Sequence, residues 1–188
     1  MKLPPFILAS ASPRRAELLG QLDLKFQVQP SDAVEIFDAQ LSPYELCQLN
    51  AHRKARTVAK KHPDALVLGA DTLVFLDQEI FGKPKDMDDA RRMLTALQGR
   101  THQVVTGVSL MHLRGHREKI FAAGTEVTFQ PLSAEQIKNY LMRVNPLDKA
   151  GAYAIQESGE MIVAEISGSY SNVVGLPVER VRDALAVW

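Results

Sequence analysis

The chain has 188 residues, enough for one domain with a full core. Lys plus Arg and Asp plus Glu each number 22 and cancel. No global field therefore draws the chain to nucleic acid or an anionic membrane, and anion binding must come from a local cluster. The single cysteine, Cys47, excludes an internal disulfide and a cysteine-built zinc site, and fits a reducing cytoplasm.

No stretch is long and apolar enough to cross a bilayer. The start after Met1-Lys2 is too short and too proline-broken for a signal peptide. The expectation is a soluble, cytoplasmic α/β protein, a single domain over 1–188 with two lobes.

Phe6-Ile7-Leu8-Ala9 reads as a buried strand that stops at Ser10 and Ser12. Ser12 suits a helix N-cap and Pro13 the first helical position, with a helix running through Leu18, Leu19 and Leu22. Arg14 and Arg15 fall in its first turn, where the macrodipole disfavours cations. Backbone N–H groups, two hydroxyls and two guanidiniums converging on one turn suit phosphate, and a broken local rule marks a place to look for function.

Lys25 to Val28 suggests a second strand, followed by a loop from Pro30 to Gln40 that carries Asp32, Glu35 and Asp38. Ser42-Pro43-Tyr44-Glu45 is a capping box that opens a long helix. Ala51, Ala55, Val58 and Ala59 share one face of it, and Lys54 lies inside that stripe, placed to snorkel outward or to reach a cleft.

Leu66 to Leu76 is the most apolar run and reads as a central strand, followed by a turn at Asp77-Gln78-Glu79 and the segment Ile80-Phe81-Gly82-Lys83-Pro84. Asp86 caps a helix whose Ala90, Met93, Leu94 and Leu97 keep helical spacing up to Gly99. Gln103 to Leu113 and Lys119 to Phe129 are strand-rich around a turn at Arg114-Gly115-His116. Ser133 to Gln136 is a second capping box, with Ile137, Tyr140, Leu141 and Val144 on the buried face of its helix.

Leu147 to Glu160 lacks periodicity and reads as a long functional loop. A strand over Met161 to Ile166 and a last helix through Val181 and Leu185 complete the chain.

Asp71 is the sharpest single signal. A carboxylate between aliphatic residues of a strand is costly to bury unless it is paired, metal-bound or catalytic. Lys83 and Lys85 flank Pro84, and Lys54 and Lys149 could join Arg14 and Arg15 in neutralising a polyphosphate. If the acidic loop folds over Asp71, Glu35 and Asp71 together with a phosphate can hold Mg²⁺. The sequence lacks a G-x-x-x-x-G-K-[ST] loop, a G-x-G-x-x-G fingerprint, a G-x-S-x-G elbow and histidines at metal-ligand spacing. His102 reads as structural. The residues alone indicate phosphate binding with carboxylate- and metal-assisted hydrolysis, and name no substrate.

Five motifs occur in order: Ser10-Ala11-Ser12-Pro13-Arg14-Arg15, Gly69-Ala70-Asp71-Thr72, Gly82-Lys83-Pro84, Asp148 to Gln156, and Gly168-Ser169-Tyr170 with Val173 to Pro177. Together they closely resemble the Maf family of nucleoside triphosphate pyrophosphatases, over nearly the whole chain.

The resemblance implies a two-lobed α/β fold with a mixed, bent sheet flanked by helices and a central cleft, similar to the inosine triphosphatase fold. It also implies hydrolysis of a nucleoside triphosphate to the monophosphate and pyrophosphate with Mg²⁺ or Mn²⁺. Asp71 matches the family's catalytic aspartate, as general base, metal ligand or both. Glu35, Lys54 and Lys83 match the family's other acidic and basic site residues. In the mechanism expected from this, Ser10, Ser12, Arg14 and Arg15 grip the phosphates, Lys54 and Lys83 neutralise the leaving pyrophosphate, and Glu35 or Asp71 holds the metal.

Arg14, Thr72 and Gln156 match the branch acting on dTTP and UTP. The tryptophan and glutamine typical of the 7-methyl-GTP branch are missing. A regulator of cell division that binds nucleotide without turnover, and a pyrophosphatase clearing purine triphosphates such as ITP, are the competing readings. The implied partner is the nucleotide alone, with no nucleic acid and no membrane; family members are often homodimers, which leaves a homodimer open.

Overall fold

The computed structural model describes residues 3–38, 40–77 and 79–188. The leader-like start at Met1-Lys2 and the turn position Gln78 lie outside the described residues. The described residues form a mixed α/β fold around a seven-stranded sheet. In chain order its elements are β1 (Phe6–Leu8), α1 (Pro13–Gly20), β2 (Phe26–Val28), α2 (Pro43–Lys61), β3 (Leu66–Leu76), β4 (Glu79–Phe81) and α3 (Met87–Leu97). They continue with β5 (Thr101–His112), β6 (Arg117–Phe129), α4 (Ala134–Leu141), β7 (Val163–Ser167), α5 (Tyr170–Val174) and α6 (Val178–Ala186).

The strand order is β2-β1-β3-β5-β6-β7, with β4 paired to β3 off that path. β1 runs parallel to both β2 and β3, whereas β4 on β3 and β7 on β6 are antiparallel. The parallel part arises because β1 and β2 are joined through α1, and β2 and β3 through α2; parallel neighbours need such crossovers.

The chain divides into two compact units. One holds residues 1–71, 106–123 and 175–188, and the other 72–105 and 124–174. β3, β5 and β6 each run from one unit into the next.

In the first unit, Ile7, Ala9, Val67 and Met111 pack with Ala55, Val58 and Ala59 of α2. In the second, the apolar stripe Ala90, Met93, Leu94 and Leu97 of α3 meets Phe81, Phe129, Ile137, Tyr140 and Ile162 in one core.

Local signals set the helix starts as the sequence predicts. Ser42 and Ser133 each accept the N–H of the third helical residue while Glu45 and Gln136 return the bond, and the Asp86 side chain accepts from Asp89 N. Several boundaries differ. α1 ends at Gly20 rather than Leu22, because Leu22 closes a tighter turn by donating to the Leu19 carbonyl. The strand expected at 161–166 is Val163–Ser167, with Met161 inside a short 3₁₀ turn. The loop 147–160 contains 3₁₀ turns at Ala150–Ala152 and Gly159–Met161, and the Gly168-Ser169-Tyr170 motif opens the short helix α5.

His102 is structural, as its sequence context suggests. It is 2% exposed, stacks edge-on against Phe129 and Tyr153, and its Nε2 lies 2.8 Å from the Tyr153 hydroxyl.

Candidate active site

The turn between β1 and α1 is built by its two serines. Ser12 caps α1 by accepting the Arg15 N–H through a long contact of 3.5 Å, and its own N–H donates to Ser10 Oγ at 3.2 Å. The sequence suggests free backbone donors here, yet both of these N–H groups are already engaged locally. Arg15 also turns inward: its Nε donates to the Gly175 carbonyl at 2.8 Å and its guanidinium to Ser10 Oγ at 3.3 Å. Arg15 thus ties the first motif to the last. Burial draws its guanidinium below the ordinary value, and the fields of Asp71 and Glu35 oppose that shift. Arg14, beside it, is half-buried.

Asp71 is positioned by the close approach of α2 to β3. A Cβ on Gly69 would stand 2.4 Å from the Ala51 carbonyl oxygen and 2.6 Å from Ala55 N. Only glycine permits that contact, and an alanine there would push the helix off the strand. Asp71 lies two residues beyond Gly69 and therefore on the same face of β3, toward α2. Asn50 and Lys54, one helical turn apart, close on it.

Lys54 Nζ donates to Asp71 Oδ1 and to Glu35 Oε1, each at 2.6 Å, so one ammonium bridges the two carboxylates. Asp71 is 4% exposed, and its other oxygen, Oδ2, accepts from Asn50 Nδ2 at 3.3 Å. This pairing answers the cost that the sequence flags for a carboxylate in an apolar strand. It also shows that the loop carrying Glu35 reaches Asp71.

Asn50 is the residue that sequence reasoning misses. Its Oδ1 accepts the Ile36 N–H at 2.8 Å and its Nδ2 donates to the Ile36 carbonyl at 3.1 Å. A polar residue at i−4 from Lys54, inside the apolar stripe of α2, is the signal that could have found it.

In the second unit, Thr72 follows Asp71 and points to the opposite face of β3, the face that carries Val74. Gly151, at φ 69°, packs against Val74 and donates its N–H to the Gly82 carbonyl at 3.0 Å. This bond fixes the 148–156 motif beside Gly82-Lys83-Pro84. Lys83 and Gln156 are both exposed.

Lys149 departs from its sequence-based expectation as a phosphate ligand. It is buried, and its Nζ donates to the Asn145 carbonyl at 2.6 Å, to Asp148 at 2.9 Å and lies 3.3 Å from Glu157. It braces the loop next to Gln156. Lys85 is exposed, with its N–H donated to Asp89.

The structure therefore brings Glu35, Lys54 and Asp71 together, and sets Arg15 with Ser10 and Ser12 within their electrostatic reach. Thr72, Lys83 and Gln156 belong to the second unit. Among the described residues, no group of three His, Cys, Asp or Glu side chains is placed to hold a metal ion by itself. No helix among them is long and apolar enough to cross a membrane.

Residues 5–188 match the family model described as Maf-like protein. The chain is 47% identical to a dTTP/UTP pyrophosphatase of Akkermansia muciniphila over 183 residues, covering 97% of this chain and 96% of that protein. It is 48% identical to a dTTP/UTP pyrophosphatase of Moorella thermoacetica over 182 residues, covering 97% and 94%. A third, from Myxococcus xanthus, is 49% identical over 172 residues, covering 92% and 86%.

Proposed function

Because the chain belongs to the Maf-like protein family, we propose that it hydrolyses nucleoside triphosphates, with dTTP and UTP preferred, to the monophosphate and pyrophosphate. The observation that carries this reading is the buried Asp71 carboxylate, held on both oxygens by Lys54 and Asn50, with Glu35 sharing the same ammonium. The names of the relatives supply the substrate class.

The donor set suits Mg²⁺ or Mn²⁺. Two carboxylates that each accept from one ammonium lie within two hydrogen-bond lengths of each other, and hard oxygen donors are what these ions take. Glu35 and Asp71 are the residues that would hold the ion, with substrate phosphate and water completing its coordination. When bound, it supplies Lewis-acid polarisation of a phosphoryl oxygen.

The remaining work falls to the side chains. Ser10, Ser12, Arg14 and Arg15 hold the phosphates at the start of α1, where the helix dipole favours negative charge. Lys54 offsets the charge that grows on the departing pyrophosphate, a role that the family resemblance also suggests for Lys83. Asp71 orients a water and accepts its proton as the water oxygen bonds to the α-phosphorus. The bond from that phosphorus to the bridging oxygen breaks, and its electron pair leaves with pyrophosphate. Arg14, Thr72 and Gln156 select the base, the last two because hydroxyl and amide both donate and accept hydrogen bonds.

A competition panel of dTTP, UTP, CTP, ITP and 7-methyl-GTP checks the substrate preference. The expected order places dTTP and UTP first. A preference for ITP or 7-methyl-GTP would remove the argument from Arg14, Thr72 and Gln156, and binding without turnover would make the protein a regulator.

A further inference from the structure

We propose that Asn50 is a positioning residue for this reaction, holding Glu35 and Asp71 in one arrangement. The inference rests on the catalytic reading of Asp71 given above. Asn50 spends its amide on two partners distant in sequence. Toward the loop, its Oδ1 accepts from Ile36 N at 2.8 Å and its Nδ2 donates to Ile36 O at 3.1 Å, so it pairs with one residue's main chain as a neighbouring strand would. Toward the strand, Nδ2 donates to Asp71 Oδ2 at 3.3 Å. The two amide hydrogens thus serve one backbone carbonyl and one carboxylate oxygen, and the amide oxygen serves one N–H.

Three features make this more than a filled hydrogen-bond site. Asn50 is 1% exposed, so its amide is committed to these partners rather than to water. Ile36 directly follows Glu35, and the loop's neighbours Val34 and Phe37 are both exposed, so apolar packing of those two does not anchor it. Lys54 pulls on Asp71 Oδ1 while Asn50 holds Oδ2, which fixes the rotation of the carboxylate about its own bond. Asn50 and Lys54 are one turn apart on a helix that Gly69 admits to backbone contact with β3. The rigid helix therefore carries both orienting groups.

The test uses the full chain and two substitutions. Asn50→Leu keeps the number of side-chain heavy atoms and removes every side-chain hydrogen bond. Asn50→Asp keeps an acceptor for the Ile36 N–H and loses both donors. kcat and KM are measured with dTTP and Mg²⁺, alongside the melting temperature and the amide hydrogen exchange of Ile36. Both variants are expected to lower kcat about tenfold or more with KM within about threefold, since small misplacement of catalytic groups is costly in rate. Ile36 should be protected in the wild type, lose that protection in Asn50→Leu and keep most of it in Asn50→Asp.

The proposal is overturned if both variants keep kcat within about threefold of wild type, or if the loss lies in KM alone. It is equally overturned if Ile36 exchanges in the wild type as fast as the exposed amides beside it. An inactive wild type would overturn the proposed activity instead, and Ile36 exchange would still decide whether the clamp exists.

Discussion

Replacing Asp71 with asparagine should lower kcat for dTTP by about 10²–10⁴-fold, the usual loss when a general base is removed. The size of the effect follows from where the charge sits. Asparagine has nearly the same shape but a single acceptor oxygen, so it keeps only one of the two donors, Lys54 Nζ or Asn50 Nδ2, and Asn50 still has Ile36. The change removes the negative charge and the basicity. Lys54 retains its bond to Glu35 and is not left as an isolated buried cation, the situation that makes broken ion pairs strongly destabilising. The folded state should therefore survive while turnover falls. In barrier terms the loss corresponds to about 3–5 kcal/mol. Steady-state kinetics beside a melting curve separates the two effects. Turnover within about threefold of wild type would remove Asp71 from the chemistry.

Stability should fall with acid through His102. Burial alone lowers its pKa from 6.5 to about 4. Above the unfolded value the imidazole is neutral in both states and nothing is lost. As pH falls through the window from 6.5 to about 4, the unfolded chain takes up a proton that the buried ring refuses, so stability declines and then levels off. The shift bounds the total loss at about 3 kcal/mol. The ring has no solvent to turn to. It lies between Phe129 and Tyr153, and burial raises the Tyr153 hydroxyl so that it stays protonated. Unfolding free energy measured from about pH 7.5 to about pH 4 should show this slope, and His102→Gln should flatten it. An unchanged slope in that variant would assign the acid sensitivity to other groups. Tyr153 lies in the 148–156 motif, so acid loosening of His102 would be felt close to Gln156.

The sequence shows clearly what is local. Ser42 with Glu45, Ser133 with Gln136 and Asp86 announce helix starts because each bond spans three residues. Asp71 stands out because an unpaired charge in an apolar strand has a large cost, so its neighbours must supply a partner. Glu35 is less visible: its tie to Asp71 runs through Lys54, from a loop that by itself reads as surface charge. Asn50 is hidden for the same reason, since Ile36 and Asp71 lie far from it along the chain. Lys149 shows the opposite error. It looks like a ligand for phosphate by charge, yet it is spent on Asn145, Asp148 and Glu157. A cation's partners depend on tertiary contacts that composition does not carry.

The central claim is that the Asp71 site directs water at the α-phosphorus of a nucleoside triphosphate. Turnover of dTTP in oxygen-18 water, with the products separated and weighed by mass spectrometry, tests it most directly. The account predicts one labelled oxygen in dTMP and none in the pyrophosphate released with it. Label in pyrophosphate, or labelled orthophosphate with dTDP, would place the attack at another phosphorus and contradict it.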